Sequence, residues 1–312
     1  MSARPRVAVL IPCYNEALAI AKVVADFRSA LPEAEIYVYD NNSNDSTVQS
    51  AKSAGAIVRH EGMQGKGHVV CRMFADVDAD VYLLVDGDGT YDASSAPALV
   101  DDLLSGPCDM INGRRVETGG ANYRPGHRIG NRVLTGLVKR LFRQGFNDML
   151  SGYKAFSRRY VKSFPALSQG FEIETELIVH ALNMKMAVKE VDTPYFSRME
   201  GSASKLNTWR DGWRILRTIV RLVKNERPMP FFGGIAAALL AVALVLFVPV
   251  AIDYLETGLV LRFPTLIVLT GLAVAAVVSF VTGVILDSVT LLKNETRRLI
   301  YLSIPALSER RE

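Results

Sequence analysis

Two stretches of this chain have no polar face with which to fold in water. Phe231 to Ile252 runs for 22 residues without a charge, and Pro264 to Leu286 for another 23. Each is longer than the roughly 18–20 residues that cross the hydrocarbon core of a bilayer. A helix at the surface of a soluble domain keeps one polar stripe, and these have none. The sequence therefore predicts two membrane spans joined by the short link Asp253 to Phe263, which leaves the preceding part to fold in water. Arg210, Arg214, Arg217, Arg221, Lys224 and Arg227 precede the first span, and Lys293, Arg297, Arg298, Arg310 and Arg311 follow the second. The link has only Arg262 against Asp253 and Glu256. Cytoplasmic flanks are enriched in lysine and arginine, so both termini and the N-terminal domain are expected on the cytoplasmic face of the cell (inner) membrane. Most of the net charge of +4 is this flanking bias, and it carries no nucleic-acid signal. The N-terminus shows no apolar signal segment. Glycines and alanines in both spans suit packing against a second copy, so a homo-oligomer is an expectation.

The water-soluble part is organised around Val81 to Asp92, VYLLVDGDGTYD. Val81 to Val85 is a short apolar run, the mark of a strand buried in a parallel sheet. It ends in two acids, Asp86 and Asp88, separated and followed by glycine. Ligands of open α/β sheets bind at the carboxyl ends of strands, which is where these acids fall. Two carboxylates one residue apart can serve one divalent cation. An EF-hand is excluded, because its sixth position would be Tyr91 and its twelfth Pro97. A rival reading stays open on these residues. An apolar strand followed by Asp-x-Asp-Gly-Thr also resembles haloacid-dehalogenase-type phosphatases, in which Asp86 would be the nucleophile.

Strands and helices alternate around this run. Arg6 to Ile11 reads as a strand and is followed by Pro12-Cys13-Tyr14-Asn15-Glu16 and a helix to about Ala30. Ile36 to Tyr39 is a second strand, closed by Asp40-Asn41-Asn42-Ser43-Asn44-Asp45-Ser46-Thr47, a polar cluster able to cap the next helix. A short strand over Ala56 to Val58 precedes Gly65-Lys66-Gly67, which opens a helix and could set Lys66 against a phosphate. The alternation predicts an α/β domain with a Rossmann-like parallel sheet. No G-x-G-x-x-G follows the first strand, so a dinucleotide fingerprint is absent. Cys13, Cys71 and Cys108 are scattered and imply neither a disulfide framework nor a metal cluster.

Taken in order, IPCYNE, DNNSNDST, GKG and the Asp-x-Asp strand end resemble the nucleotide-sugar half of family 2 glycosyltransferases. The chain is most similar to the polyprenyl-phosphate sugar transferases, the group of dolichyl-phosphate mannose synthase. The likeness covers about Arg6 to Leu206, and the two spans match the membrane anchor of bacterial members. It implies a GT-A nucleotide-sugar domain over residues 1–204, an amphipathic juxtamembrane helix over 205–230 and a two-span hairpin with a cytoplasmic tail over 231–312. Basic residues recur along one face of Leu206 to Arg227, and Trp209 and Trp213 lie on another, which suits a helix lying on an anionic leaflet.

The resemblance also implies roles residue by residue. Asp86 and Asp88 match the pair that binds Mg2+ or Mn2+ at the donor diphosphate, and Thr90 stands where the mannose synthases carry a glutamine ligand. Pro12, Tyr14 and Glu16 match the nucleotide-contacting segment, and Asp40 the acid that reads the base. Arg115 and Arg128, with Arg132 nearby, match arginines that hold the acceptor phosphate. Asp148 to Lys154 matches the D-x-x-S-G-[FY]-[RK] segment bordering sugar and acceptor. Arg198 to Leu206 resembles a loop closing over the diphosphate, here one residue longer, with Arg198 and Lys205 as its contacts. The expected reaction transfers a hexose from a UDP- or GDP-linked donor to a polyprenyl (undecaprenyl) phosphate, with inversion. A lipid phosphate is largely dianionic at neutral pH and needs no general base. A saccharide hydroxyl acceptor is the alternative; it would need a base, with Asp148 or Glu174 as candidates.

Overall fold

The computed structural model describes residues 4–118, 135, 136, 138, 146–165, 173–198, 217 and 220–306. The chain forms two compact units, one of residues 1–212 with 297–312 and a second of residues 213–296.

The first unit is built on a sheet whose strand order is β3-β2-β1-β4-β6-β5-β7. The strands are β1 (Val7–Cys13), β2 (Glu35–Asp40), β3 (Ile57–His60), β4 (Val81–Leu84), β5 (Met110–Glu117), β6 (Lys154–Ser157) and β7 (Val188–Tyr195). Helices α1 (Ile20–Ala30), α2 (Thr47–Ser53), α3 (Lys66–Asp76), α4 (Ala96–Ser105), α5 (Arg158–Ser163) and α6 (Ile173–Asn183) accompany them. Side chains alternate across each strand. Val9, Ile11, Val38, Leu83 and Val85 therefore face one layer, where they pack with Val24 and Phe27 of α1 and Leu99 of α4. On the other face Phe74 of α3 meets Tyr82 and Phe156 edge-on, and Tyr160 stacks on Phe156 at 4.5 Å.

The sheet departs from the all-parallel expectation. β4 pairs in parallel with β1 but antiparallel with β6, which is also antiparallel to β5. β5 and β7 then pair in parallel over eight residues. Four residues, Lys-Ala-Phe-Ser, are too short a run to show their direction in sequence. Their pairing sets Lys154 opposite Leu84, so the chain entering β6 meets the chain leaving β4. The polar cluster after β2 does cap α2, but through Asp45 rather than Ser46. The Asp45 carboxylate accepts from the Thr47 backbone N–H at 2.9 Å and from the Ala17 N–H at 3.3 Å, and Ser46 makes no capping bond. Asp45 thereby also ties the loop after β1 to the loop after β2.

Also within the first unit, buried Asp109 accepts hydrogen bonds from Ser157 Oγ at 2.8 Å, Arg159 Nη2 at 3.0 Å and the Tyr301 hydroxyl at 2.8 Å.

The second unit holds a hairpin of two long helices, α7 (Pro228–Thr257, 30 residues) and the greater part of α8 (Phe263–Leu302, 40 residues), whose residues from 297 onward belong to the first unit. Both carry apolar surface such as Val245 (71% exposed) and Leu255 (83% exposed) on α7 and Leu292 (65% exposed) on α8. Both are long and apolar enough to cross a membrane. They approach closely where Gly283 lies against Phe232 and Met229, and Ser279 Oγ donates to the Phe232 carbonyl at 3.0 Å. The amphipathic segment expected over Leu206 to Arg227 lies largely outside the described residues; 220–226 are helical.

Candidate active site

The carboxyl ends of β1, β2 and β4 and the amino end of β6 meet at one edge of the sheet. Asp86 and Asp88 leave β4 there. Gly89, at φ +74°, supplies the left-handed turn that sends the chain on to Thr90. Asp88 is buried, and its Oδ1 accepts from the Thr90 N–H at 3.1 Å and from the Thr90 hydroxyl at 2.6 Å. Its Oδ2 lies 2.7 Å from Arg198 Nη2. Asp86 Oδ1 lies 2.5 Å from Lys66 Nζ, and the same ammonium lies 2.5 Å from Glu174 Oε1 of α6. Burial alone would lower the Lys66 pKa, but these two carboxylates outweigh it and raise it, so Lys66 is charged.

Beyond β6 a second ion pair closes the site. Arg115 Nε and Nη2 reach the two oxygens of Asp148 at 2.7 and 2.8 Å, a two-point contact with both groups largely buried. Burial pushes the Asp148 pKa up, and the Arg115 fork more than reverses this, holding it below the usual carboxylate range. Tyr91 joins the two halves: its hydroxyl accepts the Gly152 N–H at 2.7 Å, and its ring packs on Tyr153 and Tyr195.

The sequence-expected residues divide clearly. Lys66, Asp86, Asp88, Arg115, Asp148 and Arg198 all enter these ion pairs. Thr90 braces Asp88 through its hydroxyl. Asp40 is buried; its oxygens accept from the Ser43 N–H at 3.2 and 3.3 Å, so it builds the loop after β2. Pro12, Tyr14 and Glu16 are half-buried around the end of β1 and the loop after it, where the Glu16 N–H donates to Thr47 Oγ1 at 2.9 Å. Arg128, Arg132 and Lys205 lie outside the described residues.

Three residues have partners that only the three-dimensional structure shows. Glu174 is the second partner of Lys66. Tyr91 had stood out only as the wrong residue for an EF-hand. Lys154 is fully buried and donates to Asn112 Oδ1, whose amide in turn donates to the Asp148 carbonyl at 2.9 Å. In the sequence it stands as the basic residue that closes the D-x-x-S-G-[FY]-[RK] segment.

Burial lowers the Lys154 pKa to about 8; Asp148 and Glu174 offset part of that, and Arg115 and Lys66 add to it. Since the folded value lies below the unfolded 10.5, the unfolded chain binds more protons between about pH 8 and 10.5. Stability should rise with pH across that window. Below it the buried charge costs about 3 kcal/mol. Lys154→Met removes that cost but strands Asn112 Oδ1, which returns about 1–2 kcal/mol. The variant is expected to melt higher than wild type at pH 7, with the gain shrinking from pH 8 to 10. Melts of the full chain at pH 7 and 9.5 test this, and a constant difference would contradict it.

A mixed α/β sheet of this order, with an Asp-x-Asp pair at its central strand end, defines a GT-A-like domain. The comparisons give the same class. Residues 8–164 match the family described as Glycosyl transferase family 2. Glycosyltransferase AglJ of Haloferax volcanii is 36% identical over 254 residues, covering 80% of this chain and 82% of that protein. The dolichyl-phosphate hexose transferase of the same organism is 28% identical, covering 70% of this chain and 95% of that protein. Glucosyl-3-phosphoglycerate synthase from Mycobacterium tuberculosis, solved with Mn2+, UDP and phosphoglyceric acid, superimposes with a TM-score of 0.58. It is 22% identical and covers 70% of this chain and 78% of that one, a likeness of fold. The chain belongs to glycosyltransferase family 2 and is a glycosyltransferase. Its two apolar C-terminal helices fit a membrane anchor. The phosphatase reading of Asp86 falls with that membership.

Proposed function

We propose that the protein transfers a hexose from a nucleotide sugar to a polyprenyl phosphate at the cytoplasmic face of the membrane. The observation that carries this reading is the pairing of the site's acids. Asp86 and Glu174 lie against Lys66, Asp88 against Arg198 and Asp148 against Arg115, so each of these four acids has a cationic partner. Asp148, the foremost base for a hydroxyl acceptor, has both oxygens on Arg115 and a depressed pKa. Such a site suits an acceptor that arrives ionised. A relative named for dolichyl phosphate and two bilayer-length apolar helices support a lipid carrier of that phosphate.

Asp86 and Asp88 are the residues that would hold a divalent cation. Both present hard carboxylate oxygens from one strand end, the donor chemistry that Mg2+ or Mn2+ takes. Among the described residues no third His, Cys, Asp or Glu joins them, which leaves room in such a shell for ligand oxygens. When bound, the ion would neutralise charge on the departing nucleoside diphosphate.

Lys66 and Arg198 supply fixed positive charge for the diphosphate, with Lys205 as a further contact. Pro12, Tyr14, Glu16 and Asp40 form the nucleoside side of the site. Arg115, with Arg128, holds the acceptor phosphate, and Asp148 keeps the Arg115 fork in one plane. An oxygen of the acceptor phosphate attacks the anomeric carbon in line; the bond from that carbon to the diphosphate oxygen breaks, and the sugar inverts. No proton moves, because the phosphate monoester is already dianionic. The chain divides into a catalytic domain to residue 204, a juxtamembrane helix over 205–230 and a membrane hairpin from 231, with both termini cytoplasmic.

The test is direct. The purified protein is incubated with Mn2+ or Mg2+ and a panel of UDP- and GDP-sugars, with and without undecaprenyl phosphate. Nucleoside diphosphate release that requires the lipid, together with glycosylated lipid, is the expected result. Turnover with a saccharide acceptor and none with the lipid would replace this reading by the hydroxyl-acceptor one.

A further inference from the structure

Lys66 is held by two acids from different elements, and only one belongs to the Asp-x-Asp pair. Glu174 comes from α6, is 7% exposed, and belongs to neither the donor nor the acceptor set above. Its Oε1 and Asp86 Oδ1 share one ammonium at equal distances of 2.5 Å. A buried ammonium stays charged only beside an anion. If Asp86 were its sole partner, Lys66 and a divalent cation would compete for the same carboxylate.

We propose that Glu174 is a positioning residue: it is the second seat of the Lys66 ammonium, and it keeps Lys66 in the site when a divalent cation takes Asp86. The inference rests on the reading of Asp86 and Asp88 as the metal acids. A cation at Asp86 repels the ammonium, and Glu174 receives it. Lys66 stays at the amino end of α3, where it can meet the diphosphate that arrives with the cation. Arg198 stands on Asp88 in the same way but has no second acid among its described ion pairs. The two cations are therefore retained differently among the described residues: buried Lys66 by a second carboxylate of the folded core, exposed Arg198 by Asp88.

The consequence is a pair of opposite effects on metal binding. Removing Lys66 removes a competitor, so Lys66→Met should bind Mn2+ alone more tightly, by about tenfold, the size of one charge-assisted hydrogen bond. The same variant should bind UDP or GDP in the presence of Mn2+ about tenfold more weakly. Removing the charge of Glu174 drives Lys66 onto Asp86, so Glu174→Gln should bind Mn2+ alone about tenfold more weakly. In the double variant the Glu174→Gln loss should shrink to less than about twofold, because there is no ammonium left to redirect.

The experiment titrates the full-length wild type, Lys66→Met, Glu174→Gln and the double variant with Mn2+ alone, read by the spin resonance of free Mn2+. Calorimetry then measures UDP and GDP binding at saturating Mn2+. Thermal melts of each variant control for damage to folding. Opposite shifts that collapse in the double variant establish the inference. A Glu174→Gln loss of equal size with and without Lys66 would overturn it, as would weaker Mn2+ binding by Lys66→Met. If wild type retains no Mn2+ even with a nucleoside diphosphate, the reading of Asp86 and Asp88 fails first and takes this inference with it.

Discussion

Asp88→Asn is expected to lower turnover with a nucleotide sugar about a thousandfold, while the domain stays folded. The exchange keeps side-chain volume and leaves an oxygen to accept the two Thr90 donors, so the turn after β4 is preserved. What is lost is charge at a buried position. The carboxylate offers two anionic oxygens; the amide offers one neutral oxygen and turns an N–H toward Arg198 or the cation. Charge stabilisation of a leaving diphosphate by a bound ion is worth several kcal/mol, and about 4 kcal/mol corresponds to three decades in rate. The loss should appear in kcat as well as in Mn2+ affinity, and excess Mn2+ should restore only the second. Kinetics over a range of Mn2+ concentrations, with a melt of the same sample, check this. Activity above a tenth of wild type would remove Asp88 from the reaction.

The second large effect is expected at a residue without a side chain. A Cβ on Gly152 would lie 2.7 Å from the carboxyl carbon of Asp86, closer than any real contact of that kind. The backbone cannot retreat, because the Gly152 N–H is bonded to Tyr91 and two residues later Lys154 is registered against Leu84. Asp86 must move instead, and Lys66 moves with it. A displacement of about 1 Å at a reacting centre commonly costs a hundredfold. Gly152→Ala should therefore lose about two decades in kcat, with an overpacking cost of about 1–3 kcal/mol in stability. Turnover and Mn2+ affinity within twofold of wild type would show that Asp86 has slack there.

Much of this was legible in the sequence, and the reasons are physical. An apolar strand that ends in Asp-Gly-Asp-Gly states both its burial and the chemistry at its tip. Long charge-free runs state their length. Glycine at 65, 87 and 89 marks where backbone must turn or be approached. Other features depend on pairing, which leaves little local trace. The antiparallel course of β6 is one, since a four-residue strand carries no sign of direction. The Arg115–Asp148 fork is another, as two residues 33 apart meet only through β5 and β6. Glu174 could be named from the sequence as a candidate base, but its pairing with Lys66 depends on how α6 meets α3. Asp40 and Thr90 are motif residues whose second task, bracing the loops they stand in, also shows only in the folded chain.

The reversal of β6 has a further consequence for how this catalytic surface can change over time. Because β5 and β6 are registered to each other at Met110 to Asn112 and Lys154 to Phe156, the stretch between them begins and ends at fixed points. Its start adjoins Arg115, and its end adjoins Asp148 and Gly152. Residues inserted or exchanged within that stretch would leave the pairing of β5 with β6, and so both anchors, in place. The length of the connection is thus uncoupled from the register of the sheet.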